Sequence, residues 1–520
     1  MEARTHDPID EIRLRRSFAE QMGGEQQVQR QHDNGRLTAR ERIAILADPG
    51  TFAETGYLGG QGTYVDGQLV AFTPKGEVIG SCEVDGRLVF LHAGDFTIKG
   101  GSATAADHGA LGAETSVVER AREWRAPFVR LLDGAGGSVR GFLELGRTYL
   151  PDGNAFTKHD VELLQHVPVV SAILGPVAGL PAIDGVMCHF NVMVRDTAHL
   201  FPGGPPVVKA ALGIDVTKEE LGGAGMHTRK SGSVNNIADS EEDALRQVKR
   251  FLSYLPSSVD EVPQRSEARM PHLDAEALRE LIPQNKRQPF DVRKLIDAVV
   301  DGDSFFEISP DYGRSRVTGL ARVDGYPIGI MANNPKQGGG ATDPAAGKKA
   351  MHLIQLCDQF HLPLVSFPDE PGFMVGTEVE QAGIERAGAE LVWTTCRSRM
   401  PWITFVVRRI FGVGGQVHHR PTGMFRRYAW PSAQWGSMHI SGGTAAAFKS
   451  DIANAEDPEA KRLEIEATME AIASPFRTAE VTLQDIIDPA ETRDLLVRFV
   501  HEAQRVLARQ VGPPTTPFRP

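Results

Sequence analysis

PFVRLLDGAGG (residues 127–137) and PLVSFPDEPGF (residues 363–373) decide how this chain is read. In each, a proline opens an apolar strand-like run that ends in a glycine-bearing loop, with Asp133 and Asp369 at matching places. A second pair follows in the same order: PVVSAILGPVAGL (residues 168–180) and PWITFVVRRIFGV (residues 401–413). The partners stand 236 residues apart at Pro127/Pro363 and at Asp133/Asp369, and 233 apart at Pro168/Pro401. Several matches in order at a nearly fixed offset indicate a duplicated domain, and the period is too long for a solenoid.

The flanking sequence supports two halves. VIGSCEV meets Asp85-Gly86 and then LVFL, a hairpin signal, and Asp324-Gly325 joins two strand-like runs in the same way. Beyond each hairpin, apolar strands alternate with helical stretches, as in βα units. Ahead of them, Asp10 to about Gln31 reads as an exposed polar helix. Thr38 and Glu41 fit a capping box at the start of the next helix, which Pro49-Gly50 stops. Residues 253–290 carry five prolines and many charges, with one short helix expected around Asp274–Leu281. This places a linker at 256–290 between an N-terminal domain (1–255) and a C-terminal domain (291–520). The tail VGPPTTPFRP is expected to be disordered.

Composition narrows the function. The 520 residues are 41% hydrophobic and 24% charged, near the globular average, enough for about three domains or two large ones. A net charge of -11 argues against a nucleic-acid binder. No apolar run reaches membrane-spanning length, and the charged N-terminus lacks a signal-peptide core, so a cytoplasmic protein is expected. The four cysteines, Cys82, Cys188, Cys357 and Cys396, lie far apart, which argues against a disulfide framework or a zinc site; no metal is expected.

The strand–loop–helix unit shared by the halves has a chemical reading. Glycine loops let backbone approach a ligand and expose N–H groups, and two such loops can converge on one anionic oxygen. Ordinary turns from strand to helix use the same residues, so the pattern alone leaves both readings open. No Ser-His-Asp or paired-carboxylate signature is evident.

Ten blocks, in order, resemble one family. In the first half they are GRLTARERIAILADPGTF, GDFTIKGGSATAADHG, APFVRLLDGAGGSVR, VPVVSAILGPVAGL and DVTKEELGGAGMHTRKSG. In the second half they are DGDSFFEISPDYG, GLARVDGYPIGIMANNP, LPLVSFPDEPGFMVGTEVEQAGIERAGAEL, RYAWPSAQWG and DIIDPAETR. Together, from about Asp7 to Arg505, they resemble the carboxyltransferase (beta) subunits of biotin-dependent acyl-CoA carboxylases, of which propionyl-CoA carboxylase is the best known. The resemblance implies an α/β fold of two homologous crotonase-like (ClpP/crotonase) ββα superhelix domains. It implies homo-oligomers, dimers or trimers of dimers, in which the N-domain of one subunit takes acyl-CoA and the C-domain of another takes biotin. The implied reaction forms a thioester enolate that attacks CO2 delivered as carboxybiotin, with backbone N–H groups holding both developing anions. The Met-Lys-Met biotin-attachment turn and any ATP-grasp segment are missing from the sequence. Biotin should therefore arrive on a separate carrier protein loaded by a biotin carboxylase. The zinc ribbon of split bacterial acetyl-CoA carboxyltransferases is missing as well.

Carried over block by block, the resemblance puts the catalytic N–H groups at Gly179, Leu180, Val413 and Gly414. The acyl-CoA side falls on Gly136, Gly137, Ser138, Gly175 and Gly179, and the biotin side on Gly372, Phe373, Gly376, Thr377, Gly412 and Gln416. Three places depart from the family pattern. Gly179-Leu180 replaces a Gly-Gly pair, Gly412-Val413-Gly414-Gly415 replaces Gly-Gly-Ala-Tyr, and Gln416 replaces an acidic residue at a position that helps set acyl-chain preference. The register near Gly136-Gly137 is open by one residue. A decarboxylase run in reverse, a biotin-independent CoA-thioester enzyme and a non-catalytic scaffold remain alternatives. His418-His419 reads as either a solvated turn or pocket lining, and His227 as an interface or CoA-side group or a plain structural one. Arg408-Arg409, Lys209, Arg229 and Lys230 read as phosphate contacts or solvated charges. Cys188, Trp402, Trp430 and Trp435 read as packing residues.

Overall fold

Both Asp-Gly turns close as left-handed pairs, with φ of 52° and 74° at Asp85 and Gly86 and 49° and 77° at Asp324 and Gly325. A two-residue hairpin matched to strand twist requires this conformation. In the computed structural model, which describes residues 8–103, 111–137, 143, 146–148, 154–285, 288–420, 422–482 and 484–520, the turns join Glu77–Val84 to Arg87–Gly94 and Arg316–Val323 to Tyr326–Asn333. An aspartate latches each turn. Asp48 accepts the N–H groups of Asp85 (3.1 Å) and Gly86 (2.7 Å), and Asp301 accepts those of Asp324 (3.0 Å) and Gly325 (2.7 Å).

Two compact units result, Met1–Ser253 and Tyr254–Arg519. The first is built on a sheet in the order Ala53–Thr55, Glu77–Val84, Arg87–Gly94, Phe128–Gly134, Val169–Ala178, Phe190–Val194, Asn236–Ala238, with His199–Phe201 beside the far end of Val169–Ala178. The second repeats that order with Phe306–Ile308, Arg316–Val323, Tyr326–Asn333, Leu364–Phe367, Trp402–Val406, Phe425–Ala429 and Asp485–Ile486. The separate pair Arg409–Phe411 and Gln434–Gly436 takes the place of the far-end pairing in the first unit. In both sheets every pairing after the hairpin is parallel. Parallel strands are covered on both faces, and Phe128–Gly134 and Trp402–Val406 are accordingly buried throughout. Amphipathic helices do the covering: Glu241–Ser253 buries Ala244, Leu245, Val248, Phe251 and Leu252, and Thr492–Leu507 buries Leu496, Phe499, Val500, Ala503 and Leu507.

The capping box forms at Thr38 and Glu41, ahead of helix Ala39–Leu46. The expected single helix from Asp10 to about Gln31 is instead two, Pro8–Gln21 and Glu25–Asp33. Gly23 packs so closely that a Cβ would lie 2.1 Å from Thr97 O, and Gly24 turns at φ 86°. The described residues between 254 and 290 fold with the second unit. The Tyr254 hydroxyl donates to Ser304 O, and Leu278 and Phe290 join the second core. The short helix there is a 3-10 turn, Ala275–Ala277, running into Leu278–Leu281 behind the Asp274 cap. The tail is anchored rather than free, with Phe518 buried and its ring 5.3 Å from that of His352. No helix among the described residues is long and apolar enough to cross a membrane.

The latches give the first prediction. Asp301 is 2% exposed and also pairs with Arg493 at 2.9 Å, so Asp301→Ala strands buried donors and a guanidinium. A loss of about 3 kcal/mol in urea unfolding is expected. Asp48 is more open to water, so Asp48→Ala should cost less; equal losses would refute the burial argument.

Candidate active site

Two strand ends meet in each unit, and glycine lets them meet. In the first, Gly136 sits at φ 76°, where a Cβ would lie 2.4 Å from Ala178 O and 3.6 Å from Gly179 Cα. Gly179 turns the chain at φ 72° and ψ -137°, a region open essentially to glycine alone, into helix Leu180–Val186. The Gly179 N–H donates to Phe201 O (3.3 Å) and Pro202 O (3.2 Å). Leu180 opens the helix, so its N–H has no intrahelical acceptor, and the Leu180 side chain is 54% exposed. Gly137 is exposed beside this tip. Gly175 lies deeper in the strand, where a Cβ would fall 2.1 Å from the Asp133 carboxylate; it makes room for the ion pair of Asp133 with Arg36. Ser138 lies outside the described residues.

The second unit repeats the contact. Gly412, at φ 60°, begins helix Gly412–Gln416, and a Cβ on Gly414 would lie 3.0 Å from both Gly372 C and Phe373 N. Gly372 has φ 119°, and the Phe373 ring rests on Gly388 of helix Ile384–Arg397. Val413, 50% exposed, and Gln416 face outward, as do Gly376 and Thr377 at the start of helix Thr377–Gln381.

A buried polar cluster underlies this second loop pair, and its members Arg316, Asn333, Thr342, Ser366 and Glu370 escaped the sequence reading. Glu370 Oε2 accepts from Arg316 (2.8 Å), Thr342 (2.5 Å) and Asn333 (2.9 Å), while Oε1 accepts the Gly372 N–H (3.1 Å). Burial raises the Glu370 carboxyl, but His418, Arg316 and Thr342 around it outweigh that and hold it down to about 2. His418 is fully buried, and burial, with the Arg316 charge, pushes its ring down to about 4. The neutral ring accepts from Arg316 Nη1 at Nε2 (2.8 Å), which leaves the proton on Nδ1 to be donated to Ser366 Oγ (2.5 Å).

The other candidates separate. His419 is exposed, its ring centroid 4.4 Å from that of Phe425. Arg408 and Arg409 both pair with Asp369 at 2.6 Å, so the carboxylate offsets one of their two charges and holds both guanidiniums inside the unit. His227 bridges Leu200 O (2.7 Å) and Ser231 Oγ (3.0 Å), and Lys209 pairs with Asp215. Arg229 and Lys230 are exposed. Cys188 is buried, its thiol pushed up to about 11 by desolvation. Trp402 and Trp430 are core residues and Trp435 is half-buried. Among the described residues no group of side chains could hold a metal ion.

Residues 30–509 match the carboxyl transferase domain family. The chain belongs to that family. It is 38% identical over 499 residues to the propionyl-CoA carboxylase carboxyltransferase subunit of Haloferax mediterranei, covering 94% of this chain and 95% of the relative. It is 33% identical to the methylmalonyl-CoA decarboxylase alpha subunit of Veillonella parvula, covering 91% of each. Its fold superposes on a crystal structure of transcarboxylase 12S, described as a hexamer with methylmalonyl-CoA bound, with a TM-score of 0.85 at 30% identity, covering 100% of this chain and 98% of that one. The two parallel-rich sheets are therefore crotonase-like domains, and the chain is a carboxyltransferase of the acyl-CoA carboxylase type.

The buried cluster sets an acid response. His418 and Glu370 both have folded pKa values below their ordinary ones, so the unfolded chain binds more protons and stability falls on acidification. The His418 contribution is fully present above pH 6.5 and fades down to about 4; that of Glu370 fades from 4.5 to about 2. His418→Gln should flatten the upper window by roughly 3 kcal/mol in urea titrations at pH 7 and pH 4.5. An unchanged slope would contradict the burial of a neutral ring.

Proposed function

We propose that this carboxyltransferase moves a carboxyl group from carboxybiotin to the α-carbon of an acyl-CoA of the propionyl or methylmalonyl class. The carrying observation is the same glycine-loop contact built twice in one chain, at Gly136/Gly179 and at Gly372/Gly414. The reaction develops two anions, and each loop pair offers backbone N–H groups to one of them without a catalytic acid or base side chain. In the first unit, the acyl-CoA side, the Leu180 N–H serves the thioester oxygen as the α-proton leaves, while Gly136 and Gly137 face it from the other loop. The second unit is the biotin side. Gly372 and Phe373 face the turn at Gly412, and the Val413 and Gly414 N–H groups serve the ureido oxygen, with Gly376, Thr377 and Gln416 at the rim. Gly414 lets the two loops pack backbone to backbone, since a Cβ there would lie 3.0 Å from Gly372 C and Phe373 N. Biotin, when bound on its carrier, supplies the activated carboxyl group and accepts the α-proton.

The similarity to a methylmalonyl-CoA decarboxylase subunit favours one second reading, the same site run toward decarboxylation. Both readings require a biotinylated carrier; the carboxylase also requires a biotin carboxylase, and a cytoplasmic homo-oligomer, a dimer or trimer of dimers, is the working form. Isolation from the native host should co-purify a biotinylated protein. The assembled enzyme should incorporate bicarbonate into acyl-CoA with ATP, or release CO2 from a malonyl-type CoA without it. Acyl-CoA turnover independent of biotin would overturn both.

The donor assignment has its own test. Leu180→Pro removes one N–H at the first helical position, where proline is tolerated, and Leu180→Ala keeps it. The proline variant should lose about 10²- to 10³-fold in kcat with little change in the acyl-CoA KM. Equal activity of the two variants would show that this N–H is not the donor.

A further inference from the structure

We propose that His418 is a positioning residue that ties together the two loops of the second unit. The proposal deepens the biotin-side reading above and rests on it for its kinetic consequence. One loop, Gly372-Phe373, hangs on Glu370 through the Gly372 N–H. It also hangs on Thr342, which donates its N–H to Gly372 O (3.2 Å), accepts the Met374 N–H (2.9 Å) and donates its hydroxyl to Glu370. The other loop, Gly412–Gln416, runs directly into His418, whose N–H returns to Gly415 O (3.3 Å) and whose carbonyl accepts from Thr404 Oγ1 (2.7 Å). The His418 ring then reaches the first loop's support, accepting from the same Arg316 guanidinium that pairs with Glu370, while its other nitrogen meets Ser366 on strand Leu364–Phe367.

Arg316 therefore stands between the loops, with one arm on Glu370 and the other on His418. A buried guanidinium holds a fixed fork of donors, and removing one acceptor leaves an N–H unpaired away from water. The spacing of Gly372-Phe373 from Gly412–Gly414 is thus set by a chain of side chains, Glu370–Arg316–His418, as well as by direct backbone contact. Loops placed by such a chain hold a planar ligand only when each link is made, because small displacements of positioning groups reduce rates steeply.

The test compares His418→Leu, which removes both ring contacts, with His418→Gln, whose amide can accept from Arg316 and donate to Ser366. In the oligomeric protein with its carrier, His418→Leu should raise the KM for the biotinylated carrier about tenfold and lower kcat, with the acyl-CoA KM unchanged; His418→Gln should restore both parameters. Peptide-resolved hydrogen exchange should show faster exchange in 370–377 and 411–418 together for the leucine variant and near wild-type exchange for the glutamine variant. Wild-type exchange in a folded His418→Leu, or a glutamine variant as impaired as the leucine one, overturns the proposal. If His418→Leu does not fold, Ser366→Ala, which removes only the Nδ1 contact, is judged by the same carrier KM and the same two peptides. Exchange is read without turnover. A wild-type protein with no biotin-dependent transfer would remove the functional reading, while the exchange result alone would still decide the coupling.

Discussion

A buried carboxylate at the end of the fourth strand in the sheet order organises each unit. Asp133 and Asp369 lie inside with no exposed side-chain surface, and each meets two guanidiniums, Arg36 and Arg42 in one case and Arg408 and Arg409 in the other. A single buried pair often fails to repay its desolvation, and a lone buried carboxylate is far worse. Two bidentate-capable partners make the site tolerable. Around this charge the backbone crosses at van der Waals limits. A Cβ on Gly101 would lie 2.8 Å from Asp133 O, and one on Gly340 would lie 2.8 Å from Asp369 O. The glycine loops proposed to carry the chemistry branch from these crossings.

The two solutions also show how the halves diverged. Arg36 and Arg42 come from the N-terminal segment ahead of the sheet, and Glu241 shares Arg42 at 2.6 Å. In the second unit the arginines are adjacent residues on the continuation of Trp402–Val406. The same electrostatic requirement is met by non-equivalent parts of the chain. The duplication therefore preserved the acid and the strand order, and left the source of the compensating charge free.

This divides what was legible in sequence from what was not. The alternation of strands and helices, the Asp-Gly hairpins and the Thr38 cap depend on neighbours a few residues apart, and the offset between the halves made the first two readable twice. The break at Gly23-Gly24 depends on contact with Thr97, and the packing of 254–290 depends on a core formed later in the chain. The Arg316 cluster joins residues 54 and 102 positions apart, and no local pattern marks such bonds. Arg408-Arg409 looked available for phosphates because sequence shows a charge and not its partner. Glu370 was in view, one residue after the matched Asp369; its signal was a second acid at a strand end, where only one is needed.

The departures at Leu180 and Val413 take a different meaning once the halves are compared. In the repeat, Gly179-Leu180 and Gly412-Val413 occupy the same register. Each glycine is left-handed, each begins or immediately precedes a short helix, and each following side chain is about half exposed. Glycine is demanded where the backbone turns, and both glycines are kept. The next residue has ordinary backbone requirements, so a side chain there retains its N–H. The aliphatic groups change the space and polarity beside each N–H rather than the N–H itself. On the proposed function, substitution at these places bears on which acyl chain or ring edge is accepted, while the backbone N–H groups are kept.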